Sequence, residues 1–153
     1  MIQRIQTVYL FLSTVVLAAL LFLPLAEMVD AMGQFYVLDL HGLKEVGEKS
    51  VTVMPLMPLT FLVGVSAAVS FITIFFFRNR ILQLRLCIFN ILLQIGFYPL
   101  FFYYYYQARN QIEGIADIKI SVMLPVVSII LVFLATRNIR KDELLVRAYE
   151  RLR

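Results

Sequence analysis

The side chains best able to do chemistry in an apolar setting lie in one stretch of the chain, residues 81–102. Four polar side chains recur there at spacings of four, three and four residues: Gln83, Cys87, Asn90 and Gln94. These spacings place them on one face of a helix. Amide groups in hydrocarbon need hydrogen-bond partners. The stripe therefore predicts either polar contacts between helices or a buried pocket for a lipid or quinone headgroup, to which Tyr98 could contribute.

The rest of the sequence offers little for catalysis, redox chemistry or metal binding. One cysteine and one histidine, His41, cannot form an internal disulfide, a thiol pair or a structural zinc site. The phosphate-binding, zinc-protease and nucleophile-elbow motifs are missing. No Asp or Glu falls in the long apolar stretches, where coupled transporters place a carboxylate. We therefore expect a protein that is not an enzyme and that holds no cofactor or metal.

The composition of the chain indicates its class of protein. The chain has 153 residues, of which 61% are hydrophobic and 16% charged, against about 45–50% and about 25% in soluble domains. One soluble core of this size could not bury so much apolar surface. We expect one integral membrane domain over residues 1–153, with the lipid bilayer as its surroundings and no nucleic-acid partner.

Four apolar stretches are long enough to cross a bilayer, at about residues 7–25, 56–77, 81–102 and 118–135. Pro125 falls inside the fourth and predicts a kink. Ten basic residues lie on the side that holds both termini, and four lie on the other side. The positive-inside rule therefore places both termini in the cytoplasm.

The connecting segments complete the predicted fold. Residues 34–53 alternate in a way typical of short strands, with a turn at His41 and Gly42, and predict a small outer sheet. Residues 138–153 predict a cytoplasmic helix. The expected fold is an all-α membrane protein, an antiparallel bundle of four transmembrane helices with a small outer β-sheet and a cytoplasmic C-terminal helix.

Two kinds of contact surface follow from the pattern. Thr60, Gly64 and Ala68 repeat every four residues and predict a face for close helix packing. Apolar side chains that a single molecule cannot readily bury are candidate contacts for partner proteins. They are Phe35, Val37 and Val51 in the outer segment, and Leu145 and Leu152 in the tail.

Both ends of the chain have a familiar pattern. MIQRIQT at residues 1–7 leads straight into the first span, and RKDE at 140–143 is followed by LVR at 145–147 and RLR at 151–153. With the span pattern, these motifs resemble an uncharacterised bacterial family of small four-helix inner-membrane proteins, a domain of unknown function. The resemblance implies four helices and an inner-membrane location, and it supplies no activity.

Two functions remain open at this point. The first is an accessory subunit, without enzymatic activity, of a larger inner-membrane assembly such as secretion or envelope machinery, which would have other membrane proteins as partners. The second is a binder or carrier of a lipid or quinone-like small molecule within the helix bundle, which would make a bound lipid the partner.

Overall fold

A computed structural model describes residues 5–46, 52–77, 79–112 and 114–151, with the backbone alone for 52, 53, 114, 142 and 145–151. Within these ranges there are four α-helices: α1 (Ile5–Leu20), α2 (Met57–Phe75), α3 (Arg80–Gln111) and α4 (Leu124–Arg151). Five strands lie between them: β1 (Ala26–Asp30), β2 (Phe35–Leu38), β3 (Gly42–Glu45), β4 (Thr52–Pro55) and β5 (Gly114–Ile118). A 3₁₀ turn at Ile120–Met123 precedes α4.

The helices form a closed antiparallel bundle. Helix α1 packs against α2 and α4, and α3 packs against the same two. Among the described residues, α2, α3 and the stretch 120–141 are long and apolar enough to cross a membrane. Helix α1 is apolar, and its 16 described residues end at Leu20, before Pro24. By length and composition, three helices of the described chain could therefore span a membrane.

The predicted all-α fold with a small outer sheet is wrong, because the sheet is a major part of the molecule. Its five strands are antiparallel in the order β4-β3-β2-β1-β5. The prediction included β2, β3 and β4 but missed β1 and β5. Strand β5 comes from the connection between α3 and α4, and it pairs with β1 from Ala26↔Ile118 to Asp30↔Gly114. The sheet thus joins both connections at one end of the bundle.

Two predicted boundaries also change. Helix α3 continues nine residues past Phe102 to Gln111. Its 32 residues extend about 48 Å at about 1.5 Å each, against about 30 Å of hydrocarbon. Pro99 lies inside this helix. Pro125, by contrast, is the second residue of α4, where a missing N–H costs little and no mid-helix kink results.

The largest apolar core lies between the sheet and the helix ends, where it holds the sheet against the bundle. The inner face of the sheet contributes Met28, Leu38 and Leu43, all buried. Helix α3 meets them with Phe97 and Phe101, whose rings are stacked with centroids 5.9 Å apart. The part of α3 that carries Phe97 and Phe101 is therefore the support on which the sheet rests.

Candidate functional site

A buried polar cluster connects all four helices. Ser13 Oγ of α1 lies 2.7 Å from Ser128 Oγ of α4 and 3.2 Å from Ser70 Oγ of α2. Asn90 of α3 donates from Nδ2 to Ser70 Oγ at 2.5 Å. All four residues are at most 1% exposed. We call Ser13, Ser70, Asn90 and Ser128 the polar cluster; it fixes the depth at which the helices meet.

The predicted stripe on α3 is buried along its whole length. Gln83, Cys87, Asn90 and Gln94 all face the interior. Gln83 donates from Nε2 to the carbonyl of Thr73 at 3.2 Å. Cys87 packs beside Leu10 and Val132 in a second apolar core. Three of the four side chains thus contact neighbouring helices, and the structure does not gather them around a shared pocket.

Gln94 differs from the rest of the stripe. It is 1% exposed, and neither of its amide atoms has a hydrogen-bond partner in the part of the chain that the structure describes. The same is true of Asn90 Oδ1. Beside Gln94 is a narrow gap bordered by Leu17, Phe97 and Pro125, with no room for a water molecule. A buried amide without partners costs about 1–3 kcal/mol.

Tyrosine hydroxyls attach α3 to the segment that follows it. Tyr98 donates to the carbonyl of Val122 at 3.1 Å, and Tyr105 donates to the carbonyl of Ala116 on β5 at 3.4 Å. Tyr103 and Tyr106 are each 65% exposed. Tyr98, a candidate for the polar pocket, is therefore engaged with the backbone near the start of α4. The Tyr105 contact also partly covers edge strand β5.

The predicted helix-packing face is not the buried face of α2. That face is formed by Leu59, Val63, Ser66, Ser70 and Thr73. A Cβ atom added at Gly64 would meet nothing within 4 Å, and Ala68 is exposed. Thr60 is bonded through its hydroxyl to the carbonyl of Leu40 in the β2–β3 turn. It therefore connects α2 to the sheet.

The outer face of the sheet, opposite the helices, presents a row of apolar side chains. Val29 pairs with Ile115 on one side and with Phe35 on the other. The N–H of Val46 donates to the carbonyl of Phe35 at 2.8 Å, which extends the row past the end of β3. Ile115, Phe35 and Val46 are 76%, 60% and 60% exposed, and Val29 is half-buried. We call these four residues the outer row.

A second row on the same face is charged and lies nearer to the helices. Glu27 pairs with Asp117 on β5 and with Val37 on β2, and Val37 pairs with Lys44 on β3. The Nζ of Lys119 lies 2.7 Å from Glu27 Oε2, which offsets the repulsion between the two acids. The outer row is thus separated from the bundle by a charged band.

The β2–β3 turn is built by one carboxylate. Asp39 accepts the N–H groups of His41 and Gly42 at 2.8 and 2.9 Å and pairs with Lys44 Nζ at 2.8 Å. His41 is a turn residue, as predicted. Nearby on β2, desolvation raises the pKa of Tyr36, with Glu45 and Asp30 adding to the shift. Among the described residues, no three His, Cys, Asp or Glu side chains group as metal ligands.

The candidate partner contacts are only partly described. Phe35 belongs to the outer row and is exposed, whereas Val37 is half-buried in the charged row. Val51, Leu152 and the side chain of Leu145 lie outside the described residues. The sequence reasoning missed Ile115 and Val29 because it did not recognise β1 and β5, and it did not single out Val46 at the end of the predicted β3. It also missed Ser13 and Ser128, whose only signal was a lone serine inside each apolar helix.

These features define a class of protein: a four-helix bundle, with three helices able to span a membrane, whose helix ends support an antiparallel sheet. The family described as "Domain of unknown function (DUF4293)" matches residues 2–152. The chain therefore belongs to this family, and the resemblance seen in its terminal motifs is confirmed at the level of an uncharacterised family. No curated protein and no solved structure matches the chain.

Proposed function

We propose that this chain is a membrane subunit without enzymatic activity that binds another envelope protein through the outer face of its sheet. The observation that carries the proposal is the outer row. A contiguous row of exposed apolar side chains on a soluble face marks an interaction site. The polar groups of the bundle, by contrast, are mostly hydrogen-bonded within the bundle, either to a neighbouring helix or to a carbonyl of their own helix.

The position of the outer row favours a protein over lipid as its partner. Lipid tails could cover the outer row only if the row lay at the depth of the hydrocarbon. The charged row of Glu27, Lys44 and Asp117 lies between the outer row and the helices, and the supporting helix α3 is longer than the bilayer is thick. These features favour a row that lies outside the headgroup layer, where a protein surface can cover it.

Site-specific photo-crosslinking in cells tests the proposal. A photoreactive phenylalanine analogue at Phe35 or Ile115 should give a discrete protein adduct. The matched control is Phe61, which is 74% exposed on the apolar helix α2 and should give lipid adducts only. Absence of a discrete adduct at both sheet positions, or the same protein adducts at all three positions, would exclude the outer row as the interface.

The proposed location is the bacterial inner membrane, with both termini in the cytoplasm. The support is the ratio of ten basic residues to four across the two ends of the bundle. Alkaline phosphatase fused after Lys44 should be active, and the same enzyme fused after Arg153 should be inactive. An active fusion after Arg153 would reverse the orientation and put the sheet in the cytoplasm.

A second candidate function is the binding of a lipid or quinone-like molecule within the bundle. Gln94 favours it, because its amide lacks partners and borders a gap. The gap has no room for a water molecule as it stands, so a ligand would have to separate α2 from α4. Retention of a quinone or lipid by the parent chain and its loss from Gln94→Leu would favour this function.

A further inference from the structure

A groove between α3 and α4 opens at the end of the bundle opposite the sheet. Its volume is about 380 Å³, within the roughly 300–1,000 Å³ typical of small-molecule sites. Its apolar wall is formed by Ile88 and Ile91 of α3 and by Phe133 of α4. Its rim carries Arg137, Arg140 and Lys141 of α4. The groove is therefore apolar along one part and cationic along the other.

The order of these residues along α4 matches the two parts of an amphiphile, an apolar tail followed by a charged headgroup. Phe133, Arg137, Arg140, Lys141 and Leu144 fall on one face of the helix, at intervals of four, three, one and three residues. Phe133 lies on the bilayer side, about 10 Å before Arg140 at about 1.5 Å per residue. A molecule in this groove would meet hydrocarbon-like side chains first and then three positive charges.

The three cations are available to a ligand. Within the described part of the chain, no ion pair involves Arg137, Arg140 or Lys141. Glu143, the one acid of α4 whose side chain is described, does not line the groove. Guanidinium groups bind phosphate through paired hydrogen bonds, which gives them a preference for this anion.

We propose that the groove binds one anionic glycerophospholipid. An acyl chain lies along Ile88, Ile91 and Phe133, and the phosphate contacts Arg137 and Arg140, with Lys141 at the rim. Charge complementarity and the apolar wall together select an amphiphile, because a free anion would leave the wall exposed. Basic pockets between membrane helices recognise anionic headgroups in this way. The site lies at the opposite end of the bundle from the outer row, so it is independent of the proposed function.

The test is lipid binding by the purified full-length chain in nanodiscs, measured by native mass spectrometry and by titration. The probes are dioleoyl-phosphatidylglycerol and dioleoyl-phosphatidylcholine. The parent chain should retain the anionic lipid in preference. Arg137→Gln and Arg140→Gln should each weaken retention about fivefold. A basic residue near a membrane surface contributes about 1 kcal/mol to the binding of anionic lipid, which corresponds to this factor. Arg140→Lys should keep most of the retention.

Two matched variants separate a built site from general surface charge. Arg85→Gln removes an exposed charge at the same end of the bundle that does not line the groove. It should change retention less than twofold. Ile91→Trp fills the apolar wall without changing charge and should weaken retention as much as Arg140→Gln. Circular dichroism of each variant establishes that the helices are intact.

Three outcomes would overturn the proposal. Equal losses from Arg85→Gln and Arg140→Gln would show that only the total charge matters. Equal retention of the two lipids would show that the headgroup is not recognised. Full displacement of the lipid by inorganic phosphate would assign the cations to a free anion. If Ile91→Trp fails to fold, the comparison of Arg140→Gln, Arg140→Lys and Arg85→Gln decides the matter.

Discussion

In most proteins apolar side chains are buried and polar side chains face water. The inside of the bundle and the outer face of the sheet depart from this arrangement in opposite ways. Inside, polar side chains are buried, and the polar cluster joins four of them across all four helices. Outside, the outer row leaves apolar side chains exposed. Apart from the Gln94 amide and Asn90 Oδ1, which lack partners among the described residues, the chain itself supplies the hydrogen bonds of the first region. In the second region the described residues leave the apolar side chains uncovered, and this difference directs the search for function to the sheet surface.

The largest effect should come from the core that joins the two regions. Phe97 is 1% exposed between α3 and the sheet. Phe97→Ala should lower the free energy of unfolding by about 3–5 kcal/mol, as buried Phe truncations do. The measurement is detergent-induced unfolding followed by circular dichroism. Phe102→Ala, at a 53% exposed position, is the control and should cost far less. Equal losses would mean that the sheet does not depend on this contact.

Gln94 gives the next test, in which the direction of the change in stability is informative. Gln94→Leu removes a buried amide that has no partner among the described residues. We expect it to raise the unfolding midpoint, by about 1–2 kcal/mol in free energy. Gln83→Leu on the same stripe removes a bonded amide and should lower the midpoint. If Gln94→Leu is destabilising in lipid-containing but not in stripped samples, a bound molecule satisfies that amide.

The polar cluster should make a smaller contribution. Ser13→Ala removes hydrogen bonds to Ser70 and Ser128, and bonds between membrane helices average about 0.6 kcal/mol with a maximum of about 1.7 kcal/mol. We expect a loss of about 1 kcal/mol in the same unfolding assay. Ser66→Ala is the matched control, because Ser66 bonds the carbonyl of Leu62 in its own helix. A larger loss for Ser66→Ala would deny the cluster a role in joining the helices.

The outer row should have the smallest effect on stability. The double variant Phe35→Ser with Ile115→Ser changes exposed side chains only, so the unfolding free energy should stay within about 0.5 kcal/mol of the parent. Its effect should appear in co-purification, where the partner should be lost. A clear loss of stability would instead indicate that the row packs within the molecule.

The sequence predicted the helical part of the fold well, because long apolar stretches and their charged flanks follow from the needs of a bilayer. The burial of Gln83, Asn90 and Gln94 also followed from helical spacing. Strands β1 and β5 were out of reach. Each has only five residues, each contains an acid, and their pairing joins positions far apart in the chain. The end of α3 was missed because its last turns carry Gln107, Arg109, Asn110 and Gln111 and so lie beyond the apolar stretch that predicts a span.

The candidate sites show the same limit. Phe35 could be named because it stands in a recognisable strand, whereas Ile115 becomes part of the same surface only through the register with Val29. The serines of the polar cluster are each unremarkable in sequence. Their role depends on the depth at which four separate helices bring them together, which no local pattern encodes.

The position of β5 has a consequence for how the protein is made. During synthesis β1 emerges about 84 residues before the strand that covers its open edge. At roughly 5–20 residues per second, that edge stays unpaired for roughly 4–17 s. Strand β5 follows α3 in the chain, so it can pair with β1 only after α3 has crossed the membrane. Completion of the sheet therefore indicates that the third helix has inserted. A ribosome stalled before Gly114 would leave an open strand edge, the kind of surface that chaperones and quality-control proteases recognise.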